Sequence, residues 1–176
     1  MKNKIANRNL PQLFLRARGS LMSHFRPILS HFGLTDQQWR ILRLLDEHEQ
    51  LEPRELCEMC QILSPSMAGV LTRMEEIDLI SRSPMEGDQR RVLVSLSGHG
   101  MQLMSEIAPL IDMQYQHIEK SFGKQAVNDL IRKLEEFIQA GEDSVQHVEL
   151  EGMLPTATTR SKNGMRHNSK QKNNPQ

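Results

Sequence analysis

One stretch constrains this chain more than any other: Ile62–Ser97, ILSPSMAGVLTRMEEIDLISRSPMEGDQRRVLVSLS, changes its apolar period partway along. Met67, Val70, Leu71, Met74 and Ile77 recur three and four apart, which predicts a helix with one buried face. Past Leu79 the period becomes two, with Val92, Val94 and Leu96 alternating against Arg91, Leu93 and Ser95. That predicts a half-buried strand, paired with Ile80–Ser83 across a turn at Met85–Gln89, where Gly87-Asp88 supplies the tip. Ser64-Pro65 is expected to open the helix, the hydroxyl accepting a first-turn N–H and the proline sitting where no donor is needed. The face opposite the buried one carries Ser64, Ser66, Gly69, Thr72 and Arg73, small or hydrogen-bonding side chains that suit a helix pushed into a groove.

A shorter helix, Pro53–Cys60, precedes it across the tight turn Gln61–Leu63. Helix, short turn, helix and a hairpin with Arg90 and Arg91 behind its tip make a winged helix-turn-helix. On Asp88-Gln89-Arg90 in the wing and Leu96-Ser97 at the strand end, the segment resembles the MarR family of bacterial transcription regulators, over roughly residues 10–145. The resemblance implies a mainly α fold with a small β hairpin, a reader domain joined to a helical dimerisation region, and double-stranded operator DNA as partner. Asp78 stands where such proteins often have Gly after the recognition helix. Asp tolerates the left-handed conformation, so the cap is expected to be strained but kept.

The rest of the chain fits that frame. Residues 1–9 are polar and basic and are expected to be flexible. A long amphipathic helix is predicted from Leu10 to about Phe32 with a bend at Pro27, a site that costs roughly 3 kcal/mol in a helix interior. Gly33 ends it, and Thr35 with Gln38 forms a capping box for a second helix to about Glu47. Leu51-Glu52 could add a short strand. Ser97 caps a long helix bearing Met104, Ile107, Ile111, Tyr115 and Ile118, with a second bend at Pro109. A last helix, about Lys124–Ala140, carries Val127, Leu130, Ile131, Leu134, Phe137 and Ile138. Residues 10–146 are therefore read as one MarR-type domain, with dimerisation helices at about 10–32 and 98–146 and the winged helix-turn-helix at about 35–97. The terminal helices have more apolar surface than one small domain needs, and a homodimer interface is its simplest use. Residues 147–176 lack the apolar content to fold and are read as a disordered basic tail carrying Arg160, Lys162, Arg166, Lys170 and Lys172.

For DNA, the expected readers are Ser64, Pro65, Ser66, Gly69, Thr72 and Arg73, with Arg73 able to fork onto guanine or hold a phosphate. Arg90, with Arg91 beside it, is placed to enter the minor groove. Asp88 orients that arginine, and Arg54 and Arg82 serve as phosphate anchors. The competing reading pairs Arg73, Arg82 and Arg90 with Glu75, Glu76 and Glu86 as solvated surface charges.

For a ligand, Asp36, Trp39 and Arg43 lie three and four apart on one helix face. An indole N–H and a guanidinium pointing the same way could clamp a carboxylate, while Asp36 accepts a hydroxyl proton. Met22, Phe25, Leu29, Ile111 and Tyr115 could wall the site, giving a pocket for a small aromatic acid. Core packing is the plain alternative for Trp39. The segment LMSHFRPILSHFGLTDQQWRILRLL is similar to the branch of the MarR family that answers to hydroxyphenylacetates, the homoprotocatechuate-degradation repressors and a hydroxyphenylacetate-responsive adhesin-gene repressor among them. That likeness implies that Asp36, Trp39, Arg43 and Tyr115 line the pocket. The helix start, Asn9-Leu10-Pro11, departs from those relatives.

Cys57 and Cys60 form a CxxC, and a thiol-based oxidant sensor is the alternative function. Two thiols are too few for a metal site, and the seven histidines have no ligand spacing, so neither metal nor cofactor is expected. No paired carboxylates, Ser-His-Asp order or phosphate loop points to an enzyme. Two cysteines, no apolar run near 18 residues and no leader predict a cytoplasmic protein without a membrane span. The coupling sign between effector and DNA stays open.

Overall fold

The computed structural model describes residues 7–140 together with positions 145, 146, 148 and 149. The expected flexibility of residues 1–9 and the disordered tail thus fall largely outside the described residues. The chain divides into two units, residues 1–129 and 130–176. The elements are α1 (Leu10–His31), α2 (Asp36–His48), β1 (Gln50–Leu51), α3 (Pro53–Cys60), α4 (Ser64–Glu76), β2 (Ile80–Met85), β3 (Asp88–Leu96), α5 (Gly98–Phe122) and α6 (Lys124–Gln139). The three strands form one antiparallel sheet in the order β1-β3-β2. A mainly helical fold with a small hairpin, the expected winged helix-turn-helix, is what the chain adopts.

Three helices end in the same way, and that fixes the paths between them. At the ends of α1, α3 and α4, Gly33, Gln61 and Asp78 take positive φ of 67°, 51° and 56°. Leu34, Ile62 and Leu79 then return their N–H groups to the carbonyls of Leu29, Cys57 and Met74. This is the Schellman closure, and the residue after each left-handed position is buried, so each helix end drives an apolar side chain into the core. Asp78 therefore keeps the cap that its substitution for glycine put in question. Thr35 and Gln38 form the predicted capping box, with Gln38 N–H 3.2 Å from Thr35 Oγ1 and Thr35 N–H 2.9 Å from Gln38 Oε1.

Four local expectations are corrected. Leu63, not Ser64, is the N-cap of α4. The proline then occupies the second helical position, whose N–H also lacks an intrahelical acceptor, so the one-residue shift costs nothing and leaves the Ser64 hydroxyl exposed. Ile77 is 52% exposed, outside the buried face of Met67, Val70, Leu71 and Met74. The left-handed turn at Asp78 carries Leu79 into the core instead. The wing turn is tighter than Met85–Gln89: Met85 pairs with Asp88, the loop is Glu86-Gly87, and Gly87 takes φ 84° as that turn demands. Tyr115 is 50% exposed and does not belong to the buried stripe of α5 formed by Met104, Ile107, Ile111 and Ile118.

The core draws Phe25 and Leu29 from α1, Ile41, Leu42 and Leu45 from α2, Leu56 from α3, Met67 to Met74 from α4, Val94 from β3, and the stripe of α5. Reader and long helix meet at Ser97. Its Oγ accepts the Gly100 N–H at 2.9 Å, capping α5, and donates to the Asp78 carbonyl, while its own N–H reaches Leu79 O at 3.2 Å. Gly100 lies so close to Leu79 that a Cβ there would overlap the Leu79 carbonyl oxygen. The N-terminal part of α1 is different: Leu10, Leu13 and Leu15, and Leu21 just beyond them, are exposed. In the second unit, Leu130, Ile131, Phe137 and Ile138 are exposed too.

Candidate nucleic-acid interface and effector site

The reading helix is presented as its sequence requires. Burial of Met67, Val70, Leu71 and Met74 turns Ser64, Pro65, Ser66, Thr72 and Arg73 outward, with Gly69 partly covered. A side chain on Gly69 would lie 3.6 Å from Arg73 Nη1, so the Arg73 guanidinium rests along the helix across that glycine. Thr72 Oγ1 donates to the Ala68 carbonyl at 3.0 Å. Arg82, on β2, crosses to α4, its Nε 3.3 Å from Glu75 Oε2 and its Nη2 3.4 Å from Thr72 Oγ1. For Arg82 the surface-pair reading is thus what the geometry gives. Arg54 pairs along α3 with Glu58 at 3.1 Å.

At the wing, Asp88 Oδ1 accepts the backbone N–H of Arg90 at 3.0 Å, which stiffens the tip. The Arg90 side chain is exposed and enters no ion pair among the described residues. Arg91 bonds Glu52, at the junction of β1 and α3, and so ties the wing to the reader domain.

The residues read as a ligand pocket gather around the join of α1, α2 and α5. Phe25 and Leu29 are buried, as are Trp39 and Ile111, and Met22 packs against them. The Phe25 and Tyr115 rings lie 4.9 Å apart at 54°, joining α1 to α5. The Arg43 guanidinium stands over Trp39, 5.9 Å from the ring centroid. It is held there by Glu47 at 2.7 Å and Asp46 at 3.6 Å, while Asp36 faces Arg26 at 3.8 Å. Each of these exposed surface pairs is worth only about 0.2–1 kcal/mol, so they hold Arg43 weakly.

Two groups matter here that sequence reading passed over or weighed differently. Arg40, overlooked, donates from Nη1 to the Cys60 carbonyl at the end of α3, while its Nε is buried without a partner among the described residues. Burial first, and Arg18 second, make its charge harder to keep. The signal was an arginine set among Trp39, Ile41 and Leu42, all positions that must be buried. Cys60 is buried, and that burial pushes its thiol from the ordinary 9.0 up to about 11. Such a thiol is a poor nucleophile near neutrality. No helix among the described residues is long and apolar enough to cross a membrane, and no cluster of three metal-ligating side chains occurs among them.

A helix-turn-helix followed by a basic-tipped wing, set on long terminal helices, defines a winged-helix regulator rather than an enzyme. The MarR family model matches residues 34–92. The chain is 42% identical over 123 residues to the HTH-type transcriptional regulator FarR of Neisseria gonorrhoeae, covering 68% of this chain and 84% of that protein. It is 40% identical over 127 residues to the homoprotocatechuate degradative operon repressor of Escherichia coli, covering 72% and 86%. Its structure matches that of NadR in complex with 4-hydroxyphenylacetate with a TM-score of 0.70 at 38% identity, over 78% of this chain and 97% of that one. The chain belongs to the MarR family of transcriptional regulators.

Proposed function

We propose that this protein is a homodimeric repressor that binds a pseudo-palindromic operator and lets go when a small phenolic acid, of the hydroxyphenylacetate kind, occupies the site between reader and terminal helices. The observation that carries the reading is the outward face of α4, Ser64 to Arg73, flanked by a wing whose exposed Arg90 enters no ion pair among the described residues while Asp88 holds its backbone. Arg54, Arg82 and Arg91 would contact phosphates after loosening their hold on Glu58, Glu75 and Glu52 respectively. Two such helices in a dimer must enter successive major grooves about 34–36 Å apart.

The effector half of the proposal is supported by Trp39 under Arg43, by the Phe25–Tyr115 pair, and by the likeness to a protein whose structure holds 4-hydroxyphenylacetate. In this reading Arg43 takes the carboxylate from Glu47 and Asp46, Asp36 accepts the phenol hydroxyl, and Met22, Leu29 and Ile111 enclose the ring. Filling the site favours a different spacing of the two reading helices. A preference of about 2–3 kcal/mol would weaken DNA binding roughly 30- to 150-fold. A thiol switch is the weaker reading, because burial keeps Cys60 protonated.

The test is fluorescence anisotropy of the full chain on its own upstream DNA, with and without 4-hydroxyphenylacetate, for wild type and Arg43→Ala. Release of wild type but not of the variant is the expected result. Tight binding indifferent to the acid would remove the effector half, and no binding at low salt would remove the whole.

A further inference from the structure

We propose that Arg40 is a positioning residue with two stations: on the Cys60 carbonyl it holds α3 and α4 for DNA, and an anion on the α2 face draws it away and lets them shift. The proposal rests on the reading of that face as the effector site.

The last carbonyls of a helix lack intrahelical donors and form its negative end. At the end of α3, Ile62 N–H serves Cys57 O at 3.1 Å, and the Gln61 side chain serves Glu58 O at 2.7 Å. Cys60 O is served from another helix, by Arg40 Nη1. From Cys60 the chain needs only Gln61–Leu63 to reach α4, so the tie sits at the pivot of the helix-turn-helix. It joins that pivot to the helix that carries Asp36, Trp39 and Arg43.

The tie is incompletely satisfied. Nε of the same guanidinium is buried without a partner among the described residues, Arg18 on α1 repels it, and Asp36 one turn earlier attracts it. Asp36 is itself shared with Arg26 at 3.8 Å. A carboxylate arriving beside Trp39 and Arg43 offers a charged acceptor for which the planar guanidinium has an unused donor, and it can take two parallel N–H bonds from that fork where the neutral Cys60 carbonyl takes one. Leaving Cys60 O strips α3 of a cap that is also a charge at its negative end. Two discrete arrangements of one side chain, each favoured by a different ligand, are the physical requirement for coupling.

The test uses the full chain, its upstream DNA and 4-hydroxyphenylacetate as probe, with anisotropy for DNA and the fluorescence of Trp39, the single tryptophan, for the acid. For wild type, saturating acid should raise the DNA Kd at least about tenfold. Arg40→Met should bind DNA several-fold more weakly without acid, bind the acid within about threefold of wild type, and show a DNA Kd that the acid changes less than about twofold. Arg40→Lys, which keeps the charge and fills the place if Met does not fold, should recover DNA affinity but only part of the response, since an ammonium has no fork with which to change partners. A wild-type response in folded Arg40→Met or Arg40→Lys would overturn the proposal alone. Loss of acid binding in both variants with DNA affinity at the wild-type value would overturn it by making Arg40 a ligand contact with no station on Cys60. A wild type that ignores the acid would overturn the effector reading and this proposal with it, and is told apart because the unmutated protein fails.

Discussion

At the scale of single residues, two glycines two positions apart in the chain illustrate how surroundings decide the sign of a change. Glycine costs a helix about 0.5–1 kcal/mol relative to alanine, so filling either Gly98 or Gly100 ought to stabilise α5. Gly98 has open space, but Gly100 faces the Leu79 carbonyl. Gly100→Ala should therefore lower the melting temperature, by the equivalent of about 1–3 kcal/mol of overpacking, while Gly98→Ala leaves it unchanged or raises it. Equal melting temperatures for the two variants would mean that the junction yields without cost. Cys60 gives a pH prediction. Its folded thiol titrates near 11 against an ordinary 9.0, so the folded state holds the proton more tightly than the unfolded one. Stability from this group is complete below pH 9 and is lost as pH rises through about 9 to 11. Denaturant titrations should show a steeper alkaline loss in wild type than in Cys60→Ala, and Cys60 should resist iodoacetamide at neutral pH in the folded protein.

At the scale of elements, the wing was legible as a period-two ribbon with a glycine turn, but the division of labour between its arginines was not. Adjacent residues in a strand point to opposite faces, and the position of Glu52 decides that Arg91 is paired while Arg90 enters no ion pair among the described residues. Arg90→Ala should weaken operator binding and reduce the slope of log affinity against log salt by about 1. Arg91→Ala should change that slope less and the melting temperature more. Anisotropy across a salt series separates the two, and equal slopes would deny the distinction. The recognition helix was read one residue out at its start, and Ile77 near its end was taken for core, for a similar reason. Propensity permitted Ser64 as cap and Ile77 as core, but the closure at Asp78 and the seat for Leu79 fixed the true frame.

At the scale of the whole molecule, large apolar side chains are exposed on the terminal helices among the described residues. Leu10, Leu13 and Leu21 on α1 are exposed within their own unit, and Leu130 and Ile138 within theirs. Such faces fit a subunit interface. Leu13→Asp with Leu21→Asp should turn a dimer into a monomer in sedimentation and weaken operator binding more than tenfold, since one reading helix replaces two. A variant that stays dimeric would place the interface elsewhere. The sequence by itself determined the order and kind of the elements, the capping box at Thr35, the wing and the outward face of the reading helix, because these follow from local hydrogen bonding and from apolar period. Only the tertiary structure decided which charges are engaged, where Arg40 reaches across to Cys60, and why position 100 must be glycine. Those depend on the distance between groups far apart in the chain, which no spacing along it records.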